Sequence, residues 1–428
     1  MSGMKIWKRF GIFTLLGLLL SWLISCSSGS SPSAGKEIKF WTMQLDSHTS
    51  YFEQLIDKFK AQNPGVTVEW DDVAWAAMEN QIITAVSAKT APDVVNLNPT
   101  FASQLAAKQT WMDLDANVPA EVRGQYLPNI WKAGTLDGKS FGIPWYLTTN
   151  ITIYNQDLLK TAGIAKPPAT YAELAQAARQ IKDKTGKYAF FATFVPQDSS
   201  EILESFVQMG VPLLDDRQQA AFNTREGKAV FQYWVDLYQQ GLLPKEVLTQ
   251  GHRRASELYQ SGETAMLSSG PEFINVIDKN APEIAKISGV APLISGPTGK
   301  KNVAVMNLIV PRETKNPQEA LKFALFVTNT ENQLAFAKAA NVLPSTLESV
   351  EAYKRQLAAD PKGSLVTKGL NISASQLSQA EVLIPPMKNI NALQKAIYGN
   401  LQAAMLKEKS VDQAIADAAQ EWNEKVGV

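Results

Sequence analysis

At 428 residues the chain is longer than one hydrophobic core usually supports, so two lobes are expected. Its 41 basic and 41 acidic residues balance, with no basic stripe or acidic tail, which excludes nucleic acid as an expected partner. One cysteine and two histidines, His48 and His252, leave no disulfide and no metal-ligand cluster, and no cofactor is expected.

Lys5, Lys8 and Arg9 precede an apolar run over 11–24 that is too short for a comfortable membrane span and suits a secretory signal. The run ends in Leu23-Ile24-Ser25-Cys26, which resembles the lipobox of bacterial lipoproteins. That resemblance implies removal of residues 1–25 and acylation of Cys26, each buried methylene adding about 0.8 kcal/mol of membrane affinity. Residues 26–36, rich in Ser, Gly and Pro, then read as a flexible tether. The expected location is the periplasmic or outer face of the plasma membrane, with the lipid as the only membrane contact.

The folded part opens with a strand at Ile38–Trp41 and a polar loop over 42–47. Tyr51, Phe52, Leu55, Ile56 and Phe59 follow at helical spacing, and Asn63-Pro64-Gly65 stops that helix. Val66–Trp70 is a second strand. A second helix carries Met78, Ile82, Ala85 and Val86, and Val94–Leu97 is a third, buried strand. This β-α-β-α-β order predicts a mostly parallel sheet covered by helices, with ligand-facing loops at the carboxyl ends of the strands: 42–47, 71–75 and 98–101.

Asp137-Gly138 is a turn signal, and Gly142 and Pro144 bracket a reversal before Trp145 and Tyr146. The β-branched run over 149–154 reads as the strand that crosses into the second lobe. There Thr170-x-x-Glu173 is a capping box, Asn223 is the expected cap of a helix carrying Val230, Phe231, Trp234 and Leu237, and 262–267 is a turn feeding a strand. Val303–Val310 is the expected return crossing. Helices from Pro317 and from the Ser410-x-x-Gln413 box close the chain.

No Gly-x-Ser-x-Gly, Walker loop or Gly-x-Gly-x-x-Gly occurs, and Asp71-Asp72 and Asp215-Asp216 sit in turn-like contexts. His252, in Gly251-His252-Arg253-Arg254, reads as a solvated loop residue. The expected strand ends are instead rich in amides, hydroxyls and indoles: Gln44, Trp75, Asn98, Trp145, Tyr146 and Thr148, with Trp41 beside them. A polyol needs this mixture, since its C–H faces lie on flat rings while its hydroxyls both donate and accept.

With these features in order, the chain resembles the family 1 extracellular solute-binding proteins, the maltose-binding-protein-like receptors of ABC importers. The resemblance rests on Phe40-Trp41, on Phe59 through Pro64 to Val66-x-Val68, and on Ala91-Pro92-Asp93-Val94-Val95. It continues through Gly142-Ile143-Pro144 with Tyr154-Asn155, Pro168-x-Thr170-Tyr171-x-Glu173-Leu174, Gly262-x-x-Ala265-Met266 with Gly270-Pro271, Ala320–Phe323 with Phe326, and Leu343-Pro344. It implies an α/β two-lobed periplasmic-binding-protein fold, each lobe a mostly parallel sheet flanked by helices, joined by a multi-strand hinge. The first lobe would be 37–146 with 308–345, the second 147–307 with 346–428. It also implies a monomer that captures solute without catalysis and hands it to permease subunits.

By the same resemblance Asn98 reaches the ligand from the first lobe and Thr148 from the hinge. Glu272 stands where an aromatic platform is frequent, Met306-Asn307 where small residues are, and Asn391 where maltose binders place an aromatic. These departures imply a smaller, hydrogen-bonded neutral ligand: a monosaccharide, a disaccharide, or a glycosylated polyol such as a sugar joined to glycerol. Asp46, Phe194 and Gln197 complete the candidate ligand shell. One alternative is a glycerol phosphodiester or phosphorylated polyol, which would need Arg312 or Arg253-Arg254 in the cleft. Another is a secreted glycan-processing enzyme using Glu272 with Asp46 or Glu201.

Overall fold

The computed structural model describes residues 36–426 apart from 197, 361 and 362. The expected signal peptide, Cys26 and nearly all of the expected tether lie outside the described residues, and Lys36 already belongs to the first strand.

The chain opens as β1 (Lys36–Met43), α1 (Thr49–Gln62), β2 (Val66–Val73), α2 (Trp75–Ser87), β3 (Val94–Leu97) and α3 (Pro99–Ala106). Phe52, Leu55, Ile56 and Phe59 form the buried face of α1, and Gly65 at φ 88 lets the chain turn back into β2. β1 pairs in parallel with β2 and β3. A short hairpin, turning at Asp137 and Gly138 with φ 50 and 75, leads to β4 (Ile143–Thr148) and then β5 (Ile151–Asn155).

The second lobe adds α4 (Tyr171–Thr185), α5 (Glu201–Gln208), α6 (Arg225–Gln239), α7 (His252–Gln260), β6 (Met266–Ser269), α8 (Phe273–Asn280) and β7 (Ser288–Pro292). β8 (Ala304–Ile309), α9 (Pro317–Val327), α10 (Thr330–Ala340) and β9 (Leu343–Pro344) return to the first. α11 (Leu365–Gln376), α12 (Ile390–Met405) and α13 (Val411–Val426) follow. The capping box at the head of α4 is complete: the Glu173 amide donates to Thr170 Oγ1, and the Thr170 amide to Glu173 Oε2. Thr224, rather than the expected Asn223, caps α6, its Oγ1 accepting from the Gly227 amide at 3.1 Å.

The first sheet runs β9-β4-β8-β3-β1-β2 and the second β6-β5-β7. β1 to β4 point one way, as a parallel sheet requires, but β8 lies antiparallel between β3 and β4. β9 is antiparallel to β4 as well, and in the second sheet β5 lies antiparallel between β6 and β7, so the expectation of mostly parallel pairing needs correction in both sheets. The cause is common to both. β5 and β8 each enter a lobe from the hinge, the end where the strands they pair with finish, and so must run against them. β4 and β8 lie whole in the first sheet.

Each lobe has its own core. Phe40, Phe52, Trp145 and Phe323 anchor the first, and Phe194, Phe206, Phe231, Trp234 and Trp422 the second. A third cluster, with Leu147, Val303, Val305, Leu343, Tyr353 and Leu370, packs α11 and the strand ends together beside the crossings. Among the described residues no helix is long and apolar enough to cross a membrane.

Candidate functional site

The carboxyl end of β2 meets the loop that follows β1 at Asp72. Its Oδ1 accepts from Thr42 Oγ1 at 2.6 Å and the Leu45 amide at 2.9 Å, and its Oδ2 from the Asp46 amide at 3.2 Å. Asp72, read from sequence as a turn former, therefore organises the whole 42–46 loop and holds Asp46 at its edge. Gln44, at φ 55, turns its Oε1 to the Trp75 amide, 3.4 Å away. Trp75 is 46% exposed and its ring lies 6.4 Å from that of Phe101. The Phe101 amide in turn donates to Asn98 Oδ1 at 2.8 Å, so Asn98 caps α3. Gln44, Trp75 and Asn98 are thus brought together on one face.

Tyr146 and Thr148 lie on β4, Thr148 half-buried at its end and Tyr146 almost fully buried. Burial pushes the Tyr146 hydroxyl well above its ordinary range, and the charges of Glu272 and Asp72 push it further. Asp72 belongs to the first lobe and Glu272 follows β6 in the second, so the Tyr146 hydroxyl feels the charge of one carboxylate from each. Glu272 precedes α8 without capping it. Burial holds its carboxyl up at about 7, its own backbone N–H donates to it, and its Oε2 is buried without a partner among the described residues.

A cavity of about 100 Å³ opens in the second lobe. Asn150, Thr152, Thr193, Ser199, Glu201, Glu204 and His252 supply its polar lining, with Phe190, Phe191 and Trp234 among its apolar walls. Burial first, then neighbouring carboxylates, raise Glu201 to about 7 and Glu204 to about 8.

Residues 45–334 match the family profile described as bacterial extracellular solute-binding protein. The chain belongs to this family. A solved structure from Synechococcus sp. MITs9220, provisionally described as an oligosaccharide periplasmic-binding protein and holding zinc, is 44% identical. It covers 91% of this chain and 98% of its own, with a TM-score of 0.86. The diacetylchitobiose binding protein DasA of Streptomyces coelicolor is 24% identical over 413 residues, 93% of this chain and 92% of its own. Maltose-bound MalE3 of T. maritima, 22% identical, shares the fold at a TM-score of 0.74 over 91% of this chain and 99% of its own. The family is one of binding proteins, so the chain captures a solute rather than transforming it, and the glycan-processing alternative falls away.

Several candidate side chains of this solute-binding protein do not reach its cleft face. Trp145 is fully buried, its ring stacked on Phe336 at 4.6 Å and flanked by Phe40 and Phe52. Phe194 is equally buried, edge-on to Trp234. Asn307, on β8, is buried with its Nδ2 donating to the Val305 carbonyl. Strand residues alternate faces, and sequence alone does not say which face a second layer covers. Trp41 is half-buried against the first core. Asn391 lies in the first turn of α12 with a buried, unpartnered Oδ1, and Gln197 is outside the described residues.

His252 is not in a solvated loop. It starts α7, lines the second-lobe cavity, and packs edge-on to Phe273 at 5.1 Å. Of the cations that an anionic ligand would need, Arg254 is paired with Glu246 and Glu257, and Arg253 with Glu257. Arg312 lines a separate first-lobe cavity of about 140 Å³ together with Asp113, Lys139 and the Asp137–Lys388 ion pair.

Proposed function

We propose that this solute-binding protein is the lipid-anchored capture component of an ABC importer. Its cleft takes a sugar, disaccharide or glycosylated polyol without negative charge, a sugar joined to glycerol among them, and passes it to the permease. The observation that carries the reading is the buried Glu272 carboxyl, whose Oε2 has no partner among the described residues, with Asp72 of the other lobe also acting on Tyr146. Carboxylates accept from sugar hydroxyls, with charged bonds contributing about 1.5–3 kcal/mol each, and they repel phosphate. Gln44, Asp46, Trp75, Asn98, Thr148, Glu272 and Asn391 are the residues we assign to the ligand. Names among the relatives, diacetylchitobiose and maltose, support a carbohydrate. Contact with both lobes would favour a closed arrangement, so capture is a shift between open and closed populations.

A thermal-shift panel of sugars and sugar–glycerol conjugates, set against a glycerol phosphodiester, tests this. A ligand that binds only the native state raises its apparent stability. At least one uncharged or cationic carbohydrate should raise the melting temperature. A shift by the phosphodiester alone would overturn the reading.

A further inference from the structure

The second-lobe cavity carries more than a hydroxyl ligand requires. Glu201 and Glu204, three residues apart on α5, project on one side of the helix. The Thr193 amide donates to the Glu201 carboxyl, and Asn302 Nδ2 donates to Glu204 Oε1 at 2.7 Å. Each carboxyl therefore has oxygen capacity left, and both line the cavity.

Among the described residues that line the cavity, no Lys or Arg brings a balancing charge. Asp198, before α5, is a third acid acting on Glu201. Tyr171 of α4 donates to Gln208 Oε1, and Tyr398 of α12 to the Ser199 carbonyl. Burial lowers the pKa of His252 on α7, favouring its neutral form. Lys301, behind the wall residue Leu293, turns its ammonium to the Leu293 carbonyl. Phe190, Phe191, Tyr171 and Trp234 supply aromatic rings to the same walls.

We propose that this cavity is an ammonium pocket, taking the protonated amine of an amine-bearing sugar whose hydroxyls lie in the cleft. The proposal rests on the carbohydrate reading and sharpens its ligand. Asn150, Thr152 and Ser268, at the hinge ends of β5 and β6, also line the cavity, so it reaches the end of the lobe where the chain crosses. A neutral hydroxyl would be served by an amide such as Gln208. Two enclosed acids stay protonated in the empty protein, and a cation, which aromatic faces also attract, favours their ionised form. Among the described residues no three His, Cys, Asp or Glu side chains converge as metal ligands, which favours an organic ammonium over a metal ion. An ammonium favours the ionised carboxyls, so binding releases protons and strengthens as pH rises.

Calorimetry on the full chain with 1-amino-1-deoxysorbitol and its neutral counterpart sorbitol tests the pocket. The amine should bind at least about tenfold more tightly, with net proton release and an affinity that climbs from about pH 6 to about pH 8. Glu201→Gln and Glu204→Gln should each remove that preference, and the wild-type comparison decides the matter should either variant fail to fold. Equal affinity for the two probes overturns the ammonium pocket while leaving the carbohydrate reading intact. Stabilisation by magnesium or calcium alone, lost in both variants, assigns the cavity to an inorganic cation and overturns it too. If neither probe nor any sugar of the panel binds, the carbohydrate reading fails and the pocket with it.

Discussion

The Glu272 carboxyl lies folded over Gly270, where an added β-carbon would come within 2.2 Å of both its oxygens. Glycine at this position leaves room for a carboxylate of the second lobe to fold back over the strand end instead of capping α8.

Gly270→Ala should therefore act like a site mutation without touching ligand. The clash is with the end of a flexible side chain, so the fold survives and the carboxyl moves. Ligand affinity should drop by about tenfold, matching Glu272→Gln, with little change in the melting temperature of the empty protein. Calorimetry showing wild-type affinity in both variants would sink the assignment of Glu272.

Asn98 has two roles to separate. Because its Oδ1 caps α3, Asn98→Ala should destabilise the empty protein by about 0.5–2 kcal/mol as well as weaken binding. Asn98→Asp keeps the cap acceptor and loses the amide donor, so it should restore stability but not affinity. Equal recovery of both would make Asn98 a cap alone.

Stability should fall between mildly acidic and mildly alkaline pH. Glu201 and Glu272 are raised from 4.5 to about 7 and Glu204 to about 8. Below 4.5 folded and unfolded chains both hold these protons. Between there and 7–8 the unfolded chain releases them and the folded one does not, so each raised acid removes stability as pH climbs through this window. Denaturant titrations should show the loss, and Glu204→Gln should flatten its upper part. A profile that rises over this window would contradict the burial of these acids.

Ligand-dependent fluorescence should come from Trp75, which is exposed at the cleft face, and not from Trp145, which is sealed among Phe40, Phe52 and Phe336. Trp75→Phe should abolish the change on adding ligand and Trp145→Phe should keep it. The reverse result would return Trp145 to the site.

Lipid attachment is tested at Cys26. Cys26→Ala should move the protein from the membrane to the soluble fraction with its melting temperature unchanged. Wild-type protein that stays soluble after export, with no acyl mass on Cys26, would end that part of the proposal.

What the sequence determined by itself is whatever depends on near neighbours along the chain. The apolar spacing of α1, the Thr170–Glu173 box and the Asp137-Gly138 turn all involve groups within a few residues, so their chemistry is written locally. The order of motifs likewise carried the family, and with it the two lobes. The tertiary structure alone decided which way each strand faces and what covers it. Trp145 and Phe194 have the composition of ligand platforms yet point into the two cores, while Trp75, less conspicuous, stays exposed. Asp72 looks like a turn residue until β1 is laid beside β2 and three donors of the 42–46 loop converge on it. Glu201 and Glu204 are an ordinary spacing on a helix; the layers formed by α4, α7 and α12 enclose them and shift their protonation. Burial belongs to residues far apart in the chain, and desolvation, which sets the charge of this site, follows burial.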